Sequence, residues 1–228
     1  MSSIKWKILT LSTAFTVILI IAGCQISGWE TIVLPLFNGK DLSGWKVIPE
    51  GADSQNTWSV KDGILYCTGK PNGYIRTEKE YSNYHLHVEW RWPEKPTNSG
   101  VFIHADGADI VWPELIECQL MAGNAGDFVL INGTGMTVDG QDRKDPNRQY
   151  VIIPKKQSSS EKPAGQWNSY DIYCQGDTIK CLVNDVLQNE GTAVTPSSGY
   201  ICLQGEGGPI EFRNIYIDDL GKKVSRRL

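Results

Sequence analysis

Three short segments of the chain carry polar groups at alternate positions. They are Glu89 and Arg91 within Tyr84–Trp92, His104 within Val101–Ala105, and Glu117 and Gln119 within Glu114–Leu120. Alternate residues of an extended strand share a face. In the first segment Tyr84, Leu86, Val88, Trp90 and Trp92 point one way, and His85, His87, Glu89 and Arg91 point the other. Val101 and Ile103 likewise oppose Phe102 and His104, and Ile116 and Cys118 oppose Glu117 and Gln119. If the three strands pair side by side, the five polar groups share one surface, with neighbouring Cβ atoms about 4.5–5.5 Å apart. A carboxylate or an imidazole there suits general acid–base work. A guanidinium suits a developing negative charge.

A polar outer face is also normal for an antiparallel sheet, and Glu89–Arg91 reads equally well as a same-face pair on a solvated surface. Three features favour a ligand. The face holds His, Gln, Arg and two Glu in place of a Lys/Thr/Ser mixture. Asn98-Ser99-Gly100 leads into the second segment, where the missing side chain of Gly100 leaves room. Eight Trp and nine Tyr supply aromatic platforms of the kind that suit a sugar ring. Trp58, Trp90 and Trp167 read first as core residues, and Glu211 with Arg213 read as braces of a sheet edge. Glu89, His104 and Glu117 offer ligands to a divalent metal such as calcium, but no spacing requires one and none is assigned. His85, His87 and His104 do not follow a zinc-motif spacing, and no CxxC occurs.

The elements that must position these groups are strands. Period-two apolar patterns mark Trp58–Val60, Tyr84–Trp92, Val101–Ile103, Tyr170–Tyr173, Ile179–Val183, Tyr200–Leu203 and Glu211–Ile217. Turn chemistry separates them at Asn38-Gly39, Asp62-Gly63, Asn72-Gly73, Gly176-Asp177, Asn184-Asp185 and Gly207-Gly208-Pro209. Short strands at this spacing predict an all-β, antiparallel β-sandwich. Asp142–Pro163 is polar and reads as a long loop.

At the N-terminus, Lys5 and Lys7 precede an apolar run from Ile8 to Ala22, shorter than the roughly 20 residues of a spanning helix. Ile21-Ala22-Gly23-Cys24 follows, similar to a bacterial lipobox. Residues 1–23 therefore read as a lipoprotein signal peptide. Cys24 is then the lipidated residue, 24–30 a short tether, 31–220 one domain, and 221–228 a basic tail. This predicts an extracytoplasmic protein, held to the cell envelope only through its lipid. The chain carries a formal charge of −4, with no block of Lys/Arg before Lys222-Lys223 and Arg226-Arg227. That excludes the basic stripe of a nucleic-acid binder. Besides Cys24, five cysteines leave at least one thiol unpaired. A Cys174–Cys181 bridge across a hairpin is one option, and Cys118 and Cys202 read as small buried hydrophobes.

An ordered series of segments resembles the 3-keto-disaccharide hydrolase family. It comprises Leu36–Trp45, Trp58–Leu65, Tyr84–Arg91, Asn98–His104, Glu117–Leu120, Gly165–Tyr170, Val183–Asp185, Gly199–Gly205 and Ile210–Ile215. The resemblance implies a concanavalin-like jelly roll acting on a small glycoside already oxidised to a ketone at sugar C3. It departs at Gly205-Glu206, where the family often has Asp-His, and at Asn184-Asp185, where it often has Asn-Gly. A 3-ketone acidifies the C2 proton. A base removes that proton, the enolate expels the C1 substituent, and water adds to the double bond, with no redox cofactor. On this reading Glu117 or His104 is the base, Arg91 stabilises the enolate and Glu89 positions Arg91 or His104. Gln119, Gln204, Asn98 and Glu206 bind the sugar. Two other readings compete: a non-catalytic carbohydrate-binding module, and a conventional glycosidase using Glu89 and Glu117 as its carboxylate pair.

Overall fold

The computed structural model describes residues 30–51 and 56–224. The expected signal segment, Cys24 and the tether as far as residue 29 lie outside the described residues. Among those described there is no helix, and seventeen strands form two antiparallel sheets. One, of seven strands, has the order β12 (Tyr150–Ile153), β9 (Phe128–Ile131), β8 (Glu114–Gln119), β7 (Gly100–Asp106), β16 (Gly199–Gly205), β5 (Gly73–Tyr81) and β2 (Trp45–Ile48).

The other, of ten strands, begins with β11 (Gln141–Asp142), β10 (Gly135–Val138), β15 (Val186–Thr195), β14 (Thr178–Val183) and β13 (Asn168–Gln175). It continues through β6 (Tyr84–Arg91), β17 (Ile210–Val224), β4 (Ile64–Cys67) and β3 (Trp58–Lys61), with β1 (Glu30–Pro35) also on β17. β17 reaches Val224, opposite Glu30, so regular structure extends four residues into the expected tail.

Alternation builds the core. Along β6 the residues alternate between buried and half-buried, and Tyr84, Leu86, Val88 and Trp90 enter one apolar cluster. The opposing sheet contributes Val101, Ile103, Ile116, Cys118, Ile201 and Leu203. Trp90 and Trp92 meet edge to face at 5.7 Å. The turns follow their residue types. Asp62-Gly63 and Asn184-Asp185 both adopt positive φ at both positions, the backbone that two-residue hairpins of this twist need.

The structure corrects three expectations. β6 does not lie beside β7: it pairs with β13 and β17, whereas β7 pairs with β8 and β16. The chain between β6 and β7 crosses from one sheet to the other, so the inner row of β6 faces the inner rows of β7 and β8 across the core. The outer rows therefore point in opposite directions. Second, Cys174 lies opposite Ile179 and Cys181 opposite Ile172, so the hairpin register separates the two thiols. Cys67, Cys118, Cys174, Cys181 and Cys202 are all buried and free. Third, Asp142–Pro163 is a pinned segment. It contains β12, and Lys155 N donates to Asp127 Oδ1, Ser160 Oγ to Val183 O and Gln188 Nε2 to Ser158 O.

Trp90 is 0% exposed at the centre of the larger sheet. Trp90→Ala is expected to lower unfolding free energy by about 3–5 kcal/mol, read from the urea midpoint at unchanged slope.

Candidate active site

The site forms on the outer face of the smaller sheet. β8 sends Ile116 and Cys118 inward and Leu115, Glu117 and Gln119 outward. Around Glu117 that outer face is apolar: Phe102 and Val129 lie opposite it on β7 and β9 and belong to a second hydrophobic cluster. Gly100 begins β7 opposite Gln119. A Cβ at Gly100 would overlap the Glu117 carboxyl. The room predicted at Gly100 thus exists, and the Glu117 side chain itself occupies it.

Glu117 is only 4% exposed, and its Oε1 has no hydrogen-bond partner among the described residues. Burial, with a smaller push from the Glu206 carboxylate, raises its pKa to about 8. Glu206 follows β16, bridged to Asn98. Its Oε2 accepts from Asn98 Nδ2 at 2.9 Å and from Gln204 Nε2 at 2.8 Å. Burial raises the Glu206 pKa too, and those two amide bonds oppose the shift. Two interacting carboxyls that each resist ionisation are expected to hold one proton between them near neutral pH.

Gln119 turns its Oε1 toward the chain that follows, accepting from the amides of Leu120 at 3.0 Å and Met121 at 2.8 Å. Its Nε2 takes no part in those bonds. Asn98, Glu117, Gln119 and Glu206 line a cleft of about 410 Å³. Trp112, Val129, Ile131, Gln149, Tyr150 and Ile152 complete its wall. The Trp112 loop is fastened at Asp109, which Arg76 grips through Nε at 2.7 Å and Nη2 at 3.1 Å, and Lys46 through Nζ at 2.9 Å. Arg76 first, then Lys46, holds the Asp109 carboxyl well below the usual carboxylate range. Asn132 Nδ2 also donates to Trp112 O at 2.7 Å.

Of the eight residues predicted for catalysis or sugar binding, five meet here: Glu117, Glu206, Asn98, Gln119 and Gln204. Three do not. Glu89 and Arg91 lie on the outer face of the other sheet, because β6 belongs to it. There Glu89 accepts from Arg213 Nε at 2.6 Å and Asn214 Nδ2 at 2.7 Å, and Arg91 pairs with Glu211. Trp167, expected in the core, is instead half-buried, with the guanidinium groups of Arg91 and Arg213 over its ring at 4.5 and 4.1 Å. His104 has a φ of 52° within a bulge of β7, which turns its ring from the outer face toward Tyr84, at 6.1 Å. Its Nδ1 lies 2.9 Å from Pro196 O, and burial lowers its pKa to about 4. Neither the calcium set Glu89–His104–Glu117 nor the carboxylate pair Glu89–Glu117 is assembled. The sequence reading missed Trp112, Gln149 and Tyr150. The Trp112-Pro113 pair inside an Asp- and Gly-containing stretch was an available signal for the first.

Solved structures share this fold. A putative glycosyl hydrolase from Parabacteroides distasonis has a TM-score of 0.60 at 25% identity, covering 83% of this chain and 100% of its own. A second one from that organism has a TM-score of 0.62 at 22% identity, covering 82% and 94%. A Bacillus licheniformis β-glucanase, at 0.53 and 14%, covers 86% and 98%, and identifies the sandwich as the concanavalin-like jelly roll. No curated relative matches the chain. The family model described as a 3-keto-alpha-glucoside-1,2-lyase-like domain matches residues 33–218. With its glycosyl hydrolase-like fold and that match over most of its length, the chain belongs to the 3-keto-alpha-glucoside-1,2-lyase-like family.

Proposed function

We propose that the protein cleaves 3-keto-glycosides by elimination and hydration, with Glu117 as base and Glu206 as its acid partner. The observation that carries this is a buried carboxyl, raised to about 8, beside a second carboxyl in a sugar-sized cleft. The reactive form is the minor one, in which the single proton of the pair has moved from Glu117 to Glu206. Ionised Glu117 then removes the C2 proton, which the 3-ketone has made acidic. Gln119 Nε2 donates to the enolate oxygen. As the C1–O bond breaks, the proton on Glu206 passes to the leaving oxygen. Asn98 and Gln204 both donate to Oε2, and Oε1, which meets only the longer 3.5 Å contact from Asn72 Nδ2, carries that proton. In hydration Glu206 takes a proton from water, the hydroxyl adds at C1, and Glu117 returns its proton to C2. Both carboxyls then regain their starting states. Trp112 and Tyr150 provide aromatic surface for the sugar. No metal or redox cofactor has a role in this scheme. The basic and apolar N-terminal pattern before Cys24 supports a lipid-anchored, extracytoplasmic location.

The direct test follows aglycone release from a 3-keto-glycoside and from its unoxidised parent, with the chain in a non-glycosidic detergent. Cleavage of the keto form alone is expected. Cleavage of both would replace this chemistry with a conventional glycosidase, and binding of both without turnover would make the protein a carbohydrate-binding module. Glu117→Gln is expected to lose about 10²–10⁴-fold in kcat while circular dichroism stays unchanged.

The pair also sets a pH dependence. Doubly protonated it has no base, and doubly ionised it has no acid. The rate profile should be a bell whose alkaline limb falls near pH 8. A rate still climbing above pH 9 would show that Glu117 acts without a protonated partner. Stability carries the same signature. The Glu117 pKa is raised on folding, so its protonated form stabilises the fold below the ordinary value of 4.5, and that contribution disappears as pH rises through about 8. Relative to the parent, Glu117→Gln is expected to gain melting temperature above pH 8 and little at pH 4.

A further inference from the structure

The outer face of the larger sheet carries a second polar cluster, on the far side of the sandwich from the cleft. His85 and His87 are two apart on β6 and share that face. Register then sets their neighbours. On β13, Tyr173 lies opposite His85 and Asp171 opposite His87. On β17, Asp218 lies opposite His85 and Tyr216 opposite His87. Asp171 Oδ1 is 2.8 Å from His85 Nε2 and 2.7 Å from His87 Nδ1. Asp218 Oδ2 is 2.8 Å from His85 Nδ1. Tyr173 stacks on the His85 ring at 4.3 Å and Tyr216 on the His87 ring at 4.9 Å, which fixes both ring planes. The two histidines and Asp171 have side chains 12%, 16% and 15% exposed, so the cluster is mostly enclosed and reachable from one side.

We propose that His85 Nε2, His87 Nδ1 and Asp171 Oδ1 form a binding site for a divalent transition metal of the zinc class. One ligand atom from each of these residues already lies within 4.8 Å of the other two. Zinc bonds of about 2.0–2.2 Å place tetrahedral ligands roughly 3.3 Å apart, so the two contacts to Asp171 need to open by only about half an ångström. Two imidazoles and one carboxylate favour zinc, cobalt or copper over calcium and magnesium, which take oxygen ligands. Asp218 supplies the carboxylate that orients a ligating histidine through its other nitrogen. Water completes the coordination on the exposed side.

Protons balance simply. Each ring nitrogen of His85 faces a carboxylate oxygen. Metal binding sends any proton on Nε2 to solvent and leaves Nδ1–H on Asp218. The His87 proton moves from Nδ1 to Nε2, which lies 3.9 Å from Glu89 Oε1. A His-x-His spacing lacks the form of a helical zinc motif, yet on a strand it puts both rings on one face.

The test titrates zinc chloride into the full chain in detergent, stripped with EDTA, against a chromogenic chelator. One zinc per chain at micromolar or lower concentration is expected, with a rise in melting temperature. His85→Asn and His87→Asn should each abolish binding, Asp218→Asn should weaken it by about 10–100-fold, and Glu117→Gln should leave it unchanged. Absence of binding, binding that survives both histidine changes, or loss in Glu117→Gln alone would overturn the site. If a histidine variant fails to fold, cobalt(II) in the parent chain decides: intense tetrahedral d–d bands support the site, and weak octahedral bands alone refute it.

Discussion

A carboxyl group embedded among Phe102, Val129 and the bare backbone of Gly100 is the feature around which the cleft is arranged. An isolated buried carboxylate is costly, and the protein answers by leaving Glu117 protonated across most of the physiological range. Burial raises Glu206 beside it too, but there two amides on Oε2 oppose the shift. The two groups differ in their surroundings more than in their chemistry, the condition under which paired carboxyls take different protonation states. Gly100 matters for what it lacks: any side chain there would displace the carboxyl.

Anchors from several strands surround this carboxyl. Leu115 and Phe102 pack on the same outer face, and Asp109 ties the Trp112 loop to Arg76 on β5 and Lys46 on β2. Arg76 also lies over the Tyr200 ring at 4.1 Å. On the other side, β12 extends the sheet and brings Tyr150 and Ile152 to the rim. Cleft walls of different sequence origin are thus fastened to the strand face that carries the carboxyls.

The sandwich also keeps two kinds of polar chemistry apart. The cleft uses the outer face of the smaller sheet. The histidine–aspartate cluster and the contacts of Arg91 and Arg213 with Trp167 use the outer face of the larger one. An apolar core rich in Trp, Ile, Val and Leu side chains lies between them, so changes on either face are expected to add independently.

Much of this was legible in the sequence. The residue patterns located most central strands, the inward rows of β6 and β8, the tight turns, four side chains of the cleft and Gln204 behind it, because period-two patterning records which side of its own strand a residue occupies. Strand partners are a different matter. Tyr84–Arg91 has the same alternation whether it joins β7 or crosses to the opposite sheet, so Glu89 and Arg91 could not be separated from Glu117 by pattern. One left-handed residue reversed His104, since a single bulge shifts the phase of a strand without changing its composition. Trp112 and Tyr150 come from segments without periodicity, and only distant anchors such as Asp109 bring them to the cleft. The sequence by itself determined the sides of strands and the chemical types available. Only the tertiary structure decided which sides meet, because pairing and bulges depend on contacts between residues far apart in the chain.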